Sequence, residues 1–191
     1  MKTSQHEIVA VALALVDEEG LDSLNMRALA ARLGLQASTL YWYIGSKEEL
    51  LNSMASTFSR RAMAATPDDV SWREWLMAFG RAFLAELLAH RDSARICATA
   101  RPMDSDTLEM NDRLVKPLIC AGLDAHTANC YLGSVVALSL GCAFAEQSSS
   151  FHAPYMMEIH EVHGTGLSSM IAGFPEPAAL ENASSGRTTS A

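Results

Sequence analysis

Three residues, Gly34-Leu35-Gln36, separate two short runs of helical periodicity, and this gap limits the fold more than any other feature of the chain. Before it, Met26, Leu29, Ala30 and Leu33 recur at 3.6-residue spacing and put one apolar stripe toward a small core. Asn25 stands at the N-cap position, where its side chain can accept from an unpaired helix N–H. Gly34 follows the last periodic residue, where a left-handed residue ends a helix at little cost. After the gap, Leu40 and Ile44 lie four apart and predict a second helix over 37–44. That spacing is a helix-turn-helix. Gly45 closes the second helix, and Ser46-Lys47-Glu48-Glu49 has the form of a capping box opening a third. Leu50, Leu51, Met54 and Phe58 carry the third helix on to about residue 64.

With Leu40 and Ile44 inward beside Leu33 and Leu35, the second helix turns Ser38, Thr39, Tyr41, Trp42 and Tyr43 outward. A soluble helix normally hides a Tyr-Trp-Tyr run, so its exposure points to a partner surface. Hydroxyls and aromatics on one helix can meet base edges, thymine methyls and phosphates in a major groove. Lys47, at the start of the third helix, adds an ammonium to backbone N–H groups that can face a phosphate. From Ser23 to Lys47 the only charged residues are Arg27, Arg32 and Lys47, all basic. The whole chain carries a net charge of −8, which argues against a general nucleic-acid coat. A sequence-specific binder needs only its docking face to be positive. The competing reading of this stretch is a helical hairpin with a partly buried aromatic cluster.

The remainder predicts an all-α chain of two domains and a tail, 1–65, 70–174 and 175–191. A helix over 4–19 buries Ile8, Ala12, Leu15 and Val16 and stops at Gly20. Thr66-Pro67-Asp68-Asp69 marks the boundary. Beyond it, Trp72, Trp75, Leu76, Phe79, Phe83 and Leu87 make a wide apolar face, and Pro102 limits a short helix over 90–100. A helix over 105–121, kinked at Pro117, turns Leu108, Leu114, Leu118 and Ile119 inward, and another covers 155–172. Residues 127–145 carry no charge, but Asn129, Ser134, Ser139 and the absence of basic flanks favour a buried helix over a membrane span. Along it Gly133, Ala137, Gly141 and Ala145 recur every four residues, a smooth strip suited to a dimer interface. The composition after Pro175 predicts disorder. Four cysteines without metal spacing, and a beginning MKTSQHEIVA unlike a signal peptide, fit a cytoplasmic protein with free thiols.

Residues 23–50 resemble the N-terminal DNA-binding domain of the TetR family of transcriptional repressors, and Thr39-Leu40-Tyr41-Trp42-Tyr43 is similar to the tetracycline repressors within it. The resemblance implies DNA contacts from Arg27, Thr39, Tyr41, Trp42 and Lys47. Ala37 and Ser38 complete that face but stand where the tetracycline repressors have Gln and Pro, and Ala37 cannot hydrogen-bond a base. His90-Arg91-Asp92-Ser93-Ala94-Arg95, Arg101-Pro102 and Leu140-Gly141-Cys142 resemble the ligand-binding domain of the same repressors. This implies a pocket drawing on Phe79, Phe83, Cys97, Arg101, Pro102, Met103, Leu108, Arg113 and Leu138. It also implies a homodimer on a palindromic double-stranded operator, released by a small molecule. In the tetracycline repressors a His, a Glu and an Asn hold the magnesium-chelated drug. Cys97, Ala145 and Phe79 occupy those places, which implies a less polar, aromatic inducer.

Two other functions compete. His160-x-x-His163, with Glu158, Glu161 and His152 nearby, could serve a small helical metal-dependent enzyme. The spacing is one residue short of HExxH, and no nucleophile motif, phosphate-cradling loop or carboxylate pair accompanies it. The expectation is therefore no enzyme, no resident metal and no cofactor. An architectural DNA-binding protein without a ligand is the third reading.

Overall fold

The computed structural model describes residues 4–100, 105–148 and 158–177, and among them nine α-helices and no strand occur. Helix α1 spans Gln5–Glu19, with Ser4 accepting from the Glu7 N–H at its start. Gly20, at φ 85°, ends it and leads into a 3-10 turn, Leu21–Ser23, which the periodicity does not announce. Helices α2 (Met26–Arg32) and α3 (Ala37–Ile44) form the helix-turn-helix, and α4 covers Lys47–Ala64. Asn25 caps α2 by accepting from Ala28, and Ser46 caps α4 by accepting from Glu49. Leu29, Leu40, Leu50 and Met54 are fully buried, so α1 to α4 share one small core.

Helix α5 spans Trp72–Leu88 and opens on a complete capping box, Ser71 with Glu74. Helix α6 spans Ser93–Thr99, three residues shorter at its start than the sequence predicts. Asp92 takes φ 56°, a left-handed conformation that ends one helical path and begins another. Helix α7 (Ser105–Cys120) contains Pro117, α8 covers Ala125–Gln147, and α9 covers Ile159–Ala172. On α7 the buried face is Met110, Leu114, Val115 and Leu118, while Leu108 and Ile119 are exposed, correcting the predicted stripe by roughly one-seventh of a turn.

Helix α5 is the axis of the second half, packed against α4, α8 and α9. Trp75, Phe79 and Phe83 stack along it with centroid separations of 5.3 and 5.7 Å. Gly80 lets three helices close together, since a Cβ there would lie 2.8 Å from Leu167 Cδ2 and 2.9 Å from Val135 Cγ1. Among the described residues α8 is long and apolar enough to cross a membrane by length and composition. Its Ala128, Tyr131, Leu132, Val135 and Ala143 are buried within the bundle. The first residues of the expected tail are also held. Tyr131 donates to the Pro175 carbonyl at 3.3 Å, and Arg73 pairs with Glu176 at 3.0 Å.

Candidate functional site

The outer face of α3 is built by what its inner face hides. Leu40 and Ile44 anchor the helix to the small core, leaving Ser38, Thr39, Tyr41 and Trp42 outside. Trp42 is 80% exposed and Tyr41 47%. Tyr43 differs from the expectation: it is half-buried and meets the Trp42 ring edge to face at 4.9 Å, so it props the indole. Ala37, at the first turn, is half-buried as well. Arg27 projects from α2 into solvent with no ion-pair partner among the described residues. Arg32 instead pairs with Glu18 of α1.

Lys47, exposed at the first turn of α4, also makes a contact within the chain. Its ammonium donates to the Leu24 carbonyl at 2.6 Å, bracing the start of α4 against the strand of chain that enters α2. A lysine stem is long enough to reach back, and the carbonyl ahead of an N-cap is a good acceptor.

Behind this domain, a polar joint ties α1 to the turn between α5 and α6. Asp17 accepts from the Arg91 N–H at 2.9 Å and faces His90 Nδ1 at 2.8 Å. Arg61 of α4 lies 3.0 Å from His90 Nε2 and pairs with Glu86 at 3.5 Å. A guanidinium only donates, so His90 Nε2 accepts there and Nδ1 carries the proton toward Asp17. Asp92 accepts from the Leu21 N–H at 2.9 Å, and Arg95 bridges Asp92 and Asp22. Burial opposes ionisation of Asp92, yet the Leu21 N–H and the Arg95 and Arg91 cations hold it below the usual carboxylate range. Gln147, at the end of α8, donates to the Leu87 and His90 carbonyls at 2.9 Å each, fixing the same turn from the other side.

A cavity of about 400 Å³ lies between α4, α5, α6, α7 and α8. Phe83, Cys97, Ala100, Met110, Leu114, Leu132, Val136 and Leu140 give it apolar walls. Asn52, Ser56 and Ser59 line it from α4, with Asn111 and Asn129 across from them on α7 and α8. Burial pushes the Cys97 thiol up to about 12, so it is a neutral S–H at physiological pH. The cavity brings together only part of the predicted set. Phe83 and Cys97 line it, whereas Phe79 is fully buried in the α5 stack and Leu138 packs on Gly166. Leu108 is 61% exposed and Arg113 also faces solvent. Arg101, Pro102 and Met103 lie outside the described residues, as does His152. The α4 stripe at positions 52, 56 and 59 was missed, although its i, i+4, i+7 spacing of small polar residues was visible.

The small-residue strip of α8 is open. Gly133, Ala137 and Gly141 are exposed, and no atom lies within 4 Å of a Cβ built on either glycine. Phe144, 52% exposed, and half-buried Ala145 continue it. The two histidines of α9 part company. His163 is buried with its Nε2 2.9 Å from Ser139 Oγ, while His160 is exposed. Burial first, and then the charges of His160 and Arg81, hold His163 below its usual range. Among the described residues no group of three metal-ligating side chains forms, and His163 is engaged with Ser139 rather than paired with His160.

Comparison with known proteins agrees with this architecture. The family model "Bacterial regulatory proteins, tetR family" matches residues 8–54, and "Tetracyclin repressor-like, C-terminal domain" matches 65–188. The class A tetracycline repressor of transposon 1721 from Escherichia coli is 33% identical over 154 residues, covering 80% of this chain and 71% of that protein. A TetR variant from Acinetobacter baumannii AYE, solved with minocycline, superposes with a TM-score of 0.75 at 31% identity, covering 91% of this chain and 97% of the other. TetR of class A in complex with 5a,6-anhydrotetracycline and magnesium gives 0.71 at 30% identity, covering 87% and 95%.

Proposed function

The chain belongs to the TetR family of bacterial regulatory proteins, and from that premise we propose that it is a cytoplasmic, ligand-responsive transcriptional repressor acting as a homodimer on a palindromic operator. One observation carries the reading: a helix-turn-helix exposing Tyr41 and Trp42 sits on α4, whose middle walls a 400 Å³ cavity. Arg27, Ser38, Thr39, Tyr41 and Trp42 form the docking face, with Tyr43 supporting and Ala37 contributing only a methyl. The strip of Gly133, Ala137, Gly141 and Ala145 meets its copy across a two-fold axis, which sets the recognition helices roughly 34–36 Å apart, one turn of DNA. A mostly apolar small molecule in the cavity releases the operator.

The relatives' ligand does not carry over. The class A structure holds its tetracycline with magnesium, a hard cation that takes oxygen ligands. The described lining of this cavity offers amides, hydroxyls and one protonated thiol, with no carboxylate or imidazole. Those neutral groups supply a magnesium chelate with no anionic or imidazole ligand. The enzyme reading is not favoured, since His163 is spent on Ser139 within the core.

Operators selected from a random duplex pool test the proposal. Trp42→Ala is expected to weaken the selected site by about 1–3 kcal/mol in fluorescence anisotropy. Unchanged affinity would remove α3 from the groove.

A further inference from the structure

The cavity has two unlike sides. From α4, Asn52, Ser56 and Ser59 fall at i, i+4 and i+7, on one helical face. Against them stand the apolar side chains of α5 and α8. Serine and threonine in or just after a helix commonly return the hydroxyl to the carbonyl four residues back, as Ser134, Ser139, Thr57 and Thr66 do here at 2.8–2.9 Å. Ser56 and Ser59 make no such bond, and among the described residues no buried polar side-chain atom lacks a partner. Their hydroxyls are therefore reachable from the cavity and uncommitted.

The opposite amide pair has a fixed orientation. Asn129 Nδ2 donates to the Ala125 carbonyl at 2.7 Å, so its oxygen must face Asn111. Asn111 Nδ2 donates to that oxygen at 2.9 Å, which leaves Asn111 Oδ1 as an acceptor on the cavity wall. No described lining residue is charged, and the Cys97 thiol stays protonated. An ion entering this cavity would lose part of its water without meeting a counter-charge there, a cost that neutral donors and acceptors do not incur.

Building on the repressor reading above, we infer that the cavity takes an uncharged, largely apolar molecule bearing hydroxyl groups on one edge, and that Ser56, Ser59 and Asn111 read that edge. The hydroxyls of the ligand donate to Asn111 Oδ1 and exchange hydrogen bonds with the two serines. The rest of the ligand lies on Phe83, Leu132 and Val136.

The test uses three probes of one shape, 2-naphthol, 2-methoxynaphthalene and 2-naphthoate, titrated into the full-length protein at pH 7. The order expected is naphthol tightest, ether weaker, carboxylate weakest. In a Ser56→Ala/Ser59→Ala variant, 2-naphthol should weaken by roughly threefold to tenfold, while the ether is unchanged within about twofold. Carboxylate binding as tight as naphthol overturns the inference, as does a double variant that binds naphthol like wild type, or no binding of naphthol to the wild type. Ala55→Phe fills the cavity, and Val136→Phe serves if the first variant does not melt cooperatively. If naphthol binding survives the filling variants, the cavity is not the ligand site and the repressor reading loses its sensor. If filling abolishes binding but the serine variant does nothing, the cavity stands and only the hydroxyl assignment falls.

Discussion

Ala137→Leu separates the open strip of α8 from an ordinary exposed helix face. Ala137 is exposed in the single chain, and leucine is nearly as good a helix former as alanine, so the protomer's own folding should change by only a few tenths of a kcal/mol. If the strip meets its copy, three added carbons must fit where backbones approach closely. Overpacking of that kind costs roughly 1–3 kcal/mol, and a two-fold interface contains the change twice, giving roughly 2–6 kcal/mol of lost dimer stability. Since every 1.4 kcal/mol is tenfold, the dimer constant should loosen by at least about thirtyfold. Gly141→Ala supplies the control. Its Cβ meets nothing within the chain, so each helix gains up to about 1 kcal/mol in propensity while a close interface is crowded. Sedimentation equilibrium over a concentration series measures the first effect, and urea unfolding at low concentration measures the second. An Ala137→Leu protein with the wild-type dimer constant would refute the reasoning and leave the strip to solvent.

Three further outcomes follow from the site. Lys47→Ala should lower the melting temperature, through loss of the Leu24 contact, and leave the salt dependence of operator binding unchanged; a slope reduced by about one would return the ammonium to a phosphate. His163 is held below its usual range, so the unfolded chain takes up the proton first. Stability is complete above about pH 6.5 and falls as pH drops below it, and His163→Gln should flatten that decline in urea unfolding between about pH 7 and 5. Tetracycline with magnesium should give no heat of binding in calorimetry, and micromolar affinity would contradict the donor set of the cavity.

The helix-turn-helix was legible because its determinants are local. Asn25, Gly34, Gly45 and Ser46 each act within one turn of a helix end, and the structure realises the Asn25 and Ser46 caps as hydrogen bonds. What the sequence misplaced depends on distant partners. Helix α6 starts late because Asp92 answers to Leu21 and Arg95, and Leu21 is 71 residues away. Helix α7 presents Met110 rather than Leu108 because both choices are amphipathic, and only packing against α8 and α4 decides between them. Phe79 shows the same limit: an apolar residue at helical spacing can line a cavity or fill a core, and here it joins a three-ring stack.

Helix α4 joins both halves of the molecule, and the strengths of its contacts decide how it can move. Leu50, Met54 and Phe58 are fully buried along it, and large apolar side chains of this kind are worth about 1.5–3 kcal/mol each. The ion pairs of the joint are partly exposed, and such pairs contribute at most about 1 kcal/mol each. Packing thus dominates how α4 is held, and the ion pairs of the joint add little to it. From Ser59 to Lys47 the helix is about 18 Å long at 1.5 Å per residue. A tilt of about 5° at the cavity therefore carries the Lys47 end about 1.6 Å, and Gly45 and Ser46 alone separate that end from α3. Hydrogen bonds to base edges tolerate shifts of only about 0.5 Å in length. If the cavity is the inducer site and α3 the docking helix, as proposed above, a ligand that widens the cavity against α4 by a fraction of a side chain is enough to take Tyr41 and Trp42 out of register with the groove.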